Sequence, residues 1–131
     1  MARILIADDE EMDRMFNASV LEEAGHQVLF AQDGETALAT WQKQNVDLVI
    51  TDLVMPQLNG MRLIRAILDQ SPGARIIAIS GVAPEQLDLA QDLGAMRTLF
   101  KPIPPETLLK TVDEVLGNTR RRDDDPWVKA R

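Results

Sequence analysis

Cysteine and tyrosine are absent from the 131-residue sequence, and histidine occurs once, at His26. Without cysteine the chain forms no disulfide, has no thiol nucleophile and offers no thiolate to a metal. A single histidine excludes a metal site built on two histidines, and any Ser-His-Asp arrangement would have to use His26. The side chains that remain for chemistry are mostly carboxylates, lysines and hydroxyls.

Long apolar runs are also absent. The first run, residues 4–7, is followed directly by acids, whereas a secretion signal needs about 7 to 15 apolar residues. No stretch approaches the roughly 20 apolar residues of a membrane span, so we expect a cytoplasmic protein that binds no membrane. With 45% hydrophobic and 27% charged residues, the composition is that of one globular domain.

Positive charge is scarce, because 14 Lys and Arg stand against 21 Asp and Glu and give a net charge of -7. This balance argues against a general nucleic-acid binder. Residues 119–131 carry five cations and three acids, a net of +2 that leaves residues 1–118 at -9. We expect residues 1–118 to form the folded domain and residues 119–131 to form a flexible charged tail. A linker to a missing output domain is the alternative interpretation of the tail.

Short apolar runs alternate with segments of helical periodicity. The runs predict buried strands at residues 3–7, 28–31, 48–51, 75–80 and 98–100. A helix is predicted after each strand, and the last begins near Pro105 and ends before Gly117. Because the strands are continuously apolar, both faces of the sheet are covered, which predicts a parallel sheet between helices. Trp41 and the methionines are interpreted as core or rim packing, and His26 as a surface or structural residue.

Polar side chains stand at the ends of four of the five predicted strands. These side chains are Asp8 and Asp9, Asp52, Ser80 and Lys101. Ligands of parallel α/β sheets bind at the carboxyl ends of the strands, so this pattern predicts a functional site. Ser80 taken alone is also explained as a cap of the turn before Gly81. The acids Glu10, Glu11 and Asp13 are explained by the dipole of the helix that begins there.

In this order, the motifs resemble the receiver domain of response regulators in two-component signalling. The resemblance rests on Asp8-Asp9, residues 52–56 with Gly60, Ser80 and Lys101-Pro102. It covers residues 2–117 and implies a flavodoxin-like, doubly wound (βα)5 fold with a five-stranded parallel sheet in the order 2-1-3-4-5. In that order Lys101 starts roughly 10 Å from Asp52, two strand spacings away, so only its long stem reaches inward.

The resemblance implies a phosphorylation switch rather than a metabolic enzyme. Asp52 is then the phosphoacceptor for a sensor histidine kinase or a histidine phosphotransfer protein, while Lys101 and Ser80 stabilise the transferred group. We expect one domain, and therefore an output by contact with a target protein through the fourth helix, the fifth strand and the last helix. We expect a monomer or a weak, phosphorylation-dependent dimer.

The resemblance also implies Mg²⁺. Asp9, Asp52 and the backbone carbonyl of Val54 are the implied direct ligands, and Asp8 acts through water. Oxygen ligands suit Mg²⁺. Three carboxylates this close repel one another, so without a cation one of them is expected to have a raised pKa.

Several positions depart from the family pattern. Thr98 stands where a switch aromatic is usual, and Ile103 follows Lys101-Pro102 where phenylalanine is more usual. Val54 and Val82, two residues after Asp52 and Ser80 respectively, cannot orient an attacking water.

Three alternatives remain beside the single-domain receiver. One is a receiver fragment of a larger regulator. Another is a phosphatase of the haloacid-dehalogenase type, which needs a second aspartate where this chain has Val54. The third is a flavodoxin-like cofactor binder, which needs a hydroxyl- or glycine-rich loop after the first strand, where this chain has Asp8-Asp9.

Overall fold

The computed structural model describes residues 2–55, 57–82 and 84–124, with side chains as far as Gly117. Strands and helices alternate along the chain. The strands are β1 (Arg3–Ala7), β2 (Gln27–Ala31), β3 (Leu48–Asp52), β4 (Ile76–Ser80) and β5 (Arg97–Phe100). The helices are α1 (Glu11–Glu23), α2 (Gly34–Lys43), α3 (Gly60–Gln70), α4 (Pro84–Leu93) and α5 (Pro105–Asp124). The predicted strand bounds differ from these by one residue at most.

The five strands form one sheet in the order β2-β1-β3-β4-β5. Every neighbouring pair is parallel, which confirms the doubly wound (βα)5 fold. Ala7 pairs with Thr51, so Asp8 emerges level with Asp52. Ser80 pairs with Phe100, so Lys101 emerges just beyond Ser80. This register brings the polar strand ends to one edge of the sheet.

Two apolar layers cover the sheet, and residues of each strand alternate between them. Leu5, Val49 and Ile76 face the layer formed by α2, α3 and α4. Ile4, Ile50 and Ile77 face the layer formed by α1 and α5. These side chains are almost fully buried. At about 25 cal/mol per Å² of apolar surface, they stabilise the sheet that holds the site.

The interpretation of the methionines as packing residues was wrong for Met12 and Met15 of α1. Met12, Met15 and Phe16 are 85%, 57% and 53% exposed, and the buried residues of the helix are Asn17, Ala18 and Leu21. Periodicity marks a stripe but not which way it faces, and the small Ala18 lets the other side of the helix approach the sheet. Among the remaining predicted packing residues, Met55, Met61, Met96 and Trp41 do contact the core.

The prediction that α5 ends before Gly117 was also wrong, because the helix continues to Asp124. Glycine inside a helix costs about 1 kcal/mol relative to alanine but does not end it. Gly25 and Gly94, which do follow helix ends, have positive φ values of 98° and 132°. Residues 125–131, the rest of the expected tail, lie outside the described residues.

His26 has the structural role expected of it, since its Nδ1 accepts a hydrogen bond from the Ala2 backbone N–H at 3.1 Å. The Lys101–Pro102 peptide bond is cis. None of the helices in the described part of the chain has the length and apolar character that a bilayer crossing requires.

Gly60 sets the position of the β3–α3 loop, because the first turn of α3 packs on the backbone that carries Asp52. A Cβ atom at Gly60 would collide with the Asp52 carbonyl oxygen and lie 2.6 Å from Leu53 Cα. We expect Gly60→Ala to lower the unfolding free energy by about 1–3 kcal/mol, measured by urea denaturation. A Cβ at Gly73 has nothing within 4 Å, so Gly73→Ala is the matched control. Equal stability of the two variants would contradict this packing.

Candidate functional site

The predicted acids meet at the carboxyl edge of the sheet. Asp8 follows β1, Asp52 ends β3, and Asp9 is the next residue after Asp8. One carboxylate oxygen from each of the three lies within 4.8 Å of the others. Asp8 and Asp52 are buried, whereas Asp9 is exposed. The site therefore combines a buried pair of carboxylates with one that faces solvent.

Lys101 is the cation of the site, and its stem crosses from the end of β5 as predicted. Its Nζ donates a hydrogen bond to Asp52 Oδ2 at 2.8 Å and lies 3.1 Å from Asp8 Oδ2. Burial favours the neutral amine, but hydrogen bonds to Asp52 and Asp13 outweigh it and raise the pKa of Lys101. The side chain is 13% exposed, which excludes a solvated surface lysine.

Two further acids reach the same ammonium. Asp13 Oδ2 accepts a hydrogen bond from Lys101 Nζ at 3.1 Å, and Glu10 Oε1 accepts one at 3.4 Å. A hydrogen bond with Glu10 and one from Lys101 lower the pKa of Asp13. From the sequence both acids were expected only to stabilise the helix dipole, so this contact was not predicted. Their spacing of three residues, which places them on one helix face, was the available signal.

The Asp8 carboxylate lies in a buried environment that disfavours its negative charge. Its side chain is fully buried, and Oδ1 accepts a hydrogen bond from the Glu10 backbone N–H at 3.0 Å. Among the described residues no donor forms a hydrogen bond to Oδ2, since the Lys101 ammonium, 3.1 Å away, is not aligned to donate to it. Burial raises the pKa of Asp8 from 3.8 to about 6, against the lowering effects of the Glu10 N–H and Lys101. A raised pKa for one of the three acids was expected, but from repulsion between carboxylates; burial is the main cause, and repulsion from Asp52 contributes least.

The donor set fits a hard divalent cation. Three carboxylates converge within 4.8 Å, and one buried oxygen of Asp8 lacks a hydrogen-bond donor. Oxygen ligands of this kind suit Mg²⁺, which binds through one or two carboxylates and retains waters. The backbone N–H of Val54 donates to Asp52 Oδ1 at 3.0 Å. The role of the Val54 carbonyl as a metal ligand stays a prediction.

Asp52 is held by both of its carboxylate oxygens. The Val54 N–H binds Oδ1, and Lys101 Nζ binds Oδ2. Its side chain is 8% exposed and lines a cleft of about 340 Å³. The other lining residues are Asp9, Glu10, Val54, Gly81, Val82 and Lys101. The Asp52 carboxylate is thus fixed in orientation at the wall of the cleft.

Ser80 lies buried at the end of β4, and its Oγ accepts a hydrogen bond from the Val82 backbone N–H at 3.2 Å. This bond matches the turn-capping interpretation, and it leaves the hydroxyl proton free to donate. Gly81 and Val82 line the cleft, whereas Ser80 does not. The structure therefore places Ser80 behind the cleft wall, one residue from the site.

The positions that depart from the family pattern lie around this edge. Thr98 is half-buried in β5, and Phe100, two residues on and therefore on the same face of the strand, is 48% exposed. Val54 and Val82 are 49% and 74% exposed at the cleft. Both present apolar side chains to the space beside Asp52.

The sequence matches a family model and several characterised proteins. A model of the response regulator receiver domain matches residues 4–113. Protein PilH of Pseudomonas aeruginosa is 38% identical over 120 residues, which cover 89% of this chain and 99% of PilH. The sensory/regulatory protein RpfC of Xanthomonas campestris pv. campestris is 34% identical over 124 residues, which cover 91% of this chain and 17% of RpfC. The chain thus spans under a fifth of the length of that relative.

Solved structures agree in fold and in sequence. The chemotaxis protein CheY4 of Vibrio cholerae superposes with a TM-score of 0.82 at 37% identity, covering 88% of this chain and 99% of CheY4. A response regulator receiver domain protein from Clostridium thermocellum gives a TM-score of 0.86 at 29% identity, covering 92% of this chain and 98% of that one. With the acid pair, Asp52 and Lys101 at the expected edge of the sheet, the chain belongs to the response regulator receiver domain family of two-component signalling.

Proposed function

We propose that this receiver is a phosphorylation switch in which Asp52 accepts the phosphoryl group. The main support is that Asp52, at the wall of the cleft, accepts a hydrogen bond on each carboxylate oxygen, from the Val54 N–H on Oδ1 and from Lys101 on Oδ2. A carboxylate fixed in this way presents a nucleophilic oxygen in a constant direction.

In the proposed transfer, an oxygen of Asp52 forms a bond to phosphorus as the bond from phosphorus to the donor's histidine nitrogen breaks. The histidine leaves with the electron pair, and the product is an aspartyl phosphate. The Lys101 ammonium lies 2.8 Å from Asp52 Oδ2 and would neutralise charge that develops on the phosphoryl oxygens. The Ser80 hydroxyl would donate to the product after a short movement of the Gly81–Val82 turn.

Mg²⁺ would be held by Asp9, Asp52 and the Val54 carbonyl, with Asp8 acting through water. When bound, it supplies positive charge to the phosphoryl oxygens during transfer. Support for this assignment comes from the convergence of Asp8, Asp9 and Asp52 and from the unbonded oxygen of Asp8.

The proposed donor is a sensor histidine kinase or a histidine phosphotransfer protein. Sensor proteins among the relatives, such as the CAI-1 autoinducer sensor kinase/phosphatase CqsS of Vibrio cholerae, match the chain over a small part of their own length. The proposed setting is the cytoplasm, and the proposed state is a monomer or a weak phosphorylation-dependent dimer. The proposed output is contact of α4, β5 and α5 with a target protein. No binding to nucleic acid or to a membrane is proposed.

A phosphatase of the haloacid-dehalogenase type is disfavoured. That chemistry needs an acid/base two residues after the nucleophile, and Val54 occupies the position with an apolar side chain that is 49% exposed. A receiver that forms part of a larger regulator stays compatible with the site, because the phosphorylation chemistry is the same.

The test is incubation with acetyl phosphate and Mg²⁺ followed by intact-protein mass spectrometry. We expect the wild type to gain one phosphoryl group and Asp52→Asn to gain none. Asp88→Asn is the matched control, because Asp88 is an exposed acid of α4 away from the site, and it should gain the group as the wild type does. An equal gain in Asp52→Asn would overturn the proposal.

The aspartyl phosphate is expected to be long-lived. Val54 and Val82 flank the cleft beside Asp52, and neither side chain can orient a water for attack on phosphorus. Loss of the phosphoryl group from purified protein, followed by mass under Mg²⁺, should be faster in Val54→Asn and Val82→Glu than in the wild type. A wild-type half-life of seconds that neither substitution changes would contradict this expectation.

A further inference from the structure

We propose that Asp13 is a positioning residue, which holds Lys101 before phosphorylation and releases it to the phosphoryl group, so that the first turn of α1 responds to the state of Asp52. The inference rests on the proposed function, because it requires a phosphoryl group at Asp52.

All N–H donors of the Lys101 ammonium are engaged by carboxylates. It carries three protons, and four carboxylate oxygens lie between 2.8 and 3.4 Å from its nitrogen. A phosphoryl group on Asp52 adds oxygens that carry about -1.5 to -2 charges and compete for the same protons. Phosphorylation frees the proton that Asp52 Oδ2 accepted, because this carboxylate becomes an acyl phosphate. A second contact of Lys101 with the phosphoryl oxygens has to come from one of the other three carboxylates.

Exposure decides which carboxylate is released. The Asp8 side chain is fully buried, so its charge cannot be transferred to water. The Asp13 and Glu10 side chains are 44% and 65% exposed, and water can solvate either one after release. Of these two, Asp13 is the closer, at 3.1 Å against 3.4 Å for Glu10. Both contacts loosen as the ammonium moves to the phosphoryl oxygens, and the contact with Asp13, being the shorter, is the larger loss.

Release of Asp13 changes the surface of α1. Asp13 lies in the first turn of the helix, three residues before Phe16, which is exposed and shares its side of the helix. Before phosphorylation its charge is neutralised by Lys101; afterwards it faces solvent next to an apolar surface. This signal runs from Asp52 through Lys101 to α1 and needs no aromatic at the position of Thr98.

Three variants separate this role from a general effect of charge. Asp13→Asn removes the contact with Lys101. Glu11→Gln removes the same charge from the same helix turn, and Glu11 makes no ion pair with Lys101 among the described residues. Asp13→Glu keeps a carboxylate that can reach the ammonium.

The first readout is the dissociation constant of beryllofluoride, a mimic of the phosphoryl group, measured by titration with Mg²⁺ present. We expect Asp13→Asn to bind it about two- to fivefold more tightly than Glu11→Gln, the size expected of a partly exposed ion pair. Asp13→Glu should bind as the wild type does. The second readout is hydrogen exchange of the Arg14 backbone amide, which donates a hydrogen bond to the Glu10 carbonyl oxygen at 2.9 Å across the first turn. Beryllofluoride should speed this exchange in the wild type but not in Asp13→Asn.

The outcomes distinguish the two proposals. If the wild type gains a phosphoryl group and binds beryllofluoride, but Asp13→Asn behaves as Glu11→Gln in both readouts, this inference alone fails. Weaker binding by Asp13→Asn would also overturn it, because Asp13 would then hold Lys101 in its productive position. If the wild type neither binds beryllofluoride nor gains a phosphoryl group, both proposals fail.

Discussion

Lys101→Met is expected to slow phosphorylation of Asp52 by acetyl phosphate about 100-fold or more, the usual effect of removing one preorganised donor from a developing oxyanion. Methionine keeps much of the length of the stem but removes the ammonium that lies 2.8 Å from Asp52 Oδ2. The rate is measured by intact mass at saturating Mg²⁺. Lys110→Met, on the exposed face of α5, is the matched control and should react as the wild type does.

A separate titration shows whether the slow reaction of Lys101→Met comes from lost metal. The four carboxylates around Lys101 lose a competing cation in this variant, so Mg²⁺ should bind more tightly than in the wild type. Tighter Mg²⁺ binding with slower phosphorylation would place the role of Lys101 in the transfer step. A rate within threefold of the wild type would show that Lys101 has no such role.

Asp8→Asn is expected to stabilise the fold in the absence of divalent cations, although it alters a residue of the site. Burial raises the pKa of Asp8 to about 6, from 3.8, so the folded state binds this proton more tightly than the unfolded chain does. The unfolding free energy of the wild type therefore falls as pH rises from about 4 to 6, by roughly 3 kcal/mol for a shift of this size. Asparagine removes that destabilisation.

The measurement is urea denaturation of wild type and Asp8→Asn at two pH values. Near pH 7.5 the variant should be more stable by about 2–3 kcal/mol, and near pH 4, where Asp8 is protonated in both states, the two should approach one another. Mg²⁺ should reduce the difference by offsetting the charge in the wild type. Asp88→Asn should change stability little at either pH. A variant less stable than the wild type at pH 7.5 would contradict the raised pKa of Asp8.

Sequence reasoning could predict the sheet and the principal site because both depend on local patterns with a simple geometric consequence. Asp8, Asp52 and Lys101 follow apolar strands, and parallel strands end at one edge. The strand order itself came from the resemblance, since short apolar runs carry no information about their neighbours. Once the order was given, the length of the lysine stem explained how Lys101 reaches Asp52.

What sequence reasoning missed depends on tertiary contacts. The apolar residues Met12, Met15 and Phe16 indicate a helix but not the direction in which it rotates on the sheet, and the small Ala18 proved to face the core. Asp13 is an acid in the first turn of a helix, as the sequence indicated. Its contact with Lys101, 88 residues away in sequence, could not be predicted without knowing where the ends of β1 and β5 lie relative to each other. Gly117 suggested a helix end because glycine is common just after helices. The residue type alone does not determine the φ angle, and here the helix continues.

Chemical trapping of the phosphorylated residue tests the central claim most directly. Borohydride reduces an acyl phosphate to an alcohol, which would convert a phosphorylated aspartate to homoserine that peptide mass spectrometry can locate. After treatment with acetyl phosphate and Mg²⁺, we predict homoserine at position 52 and at neither position 8 nor position 9. Homoserine at Asp8 or Asp9, or a phosphoryl group that borohydride does not trap, would contradict the assignment of Asp52 as the phosphoacceptor.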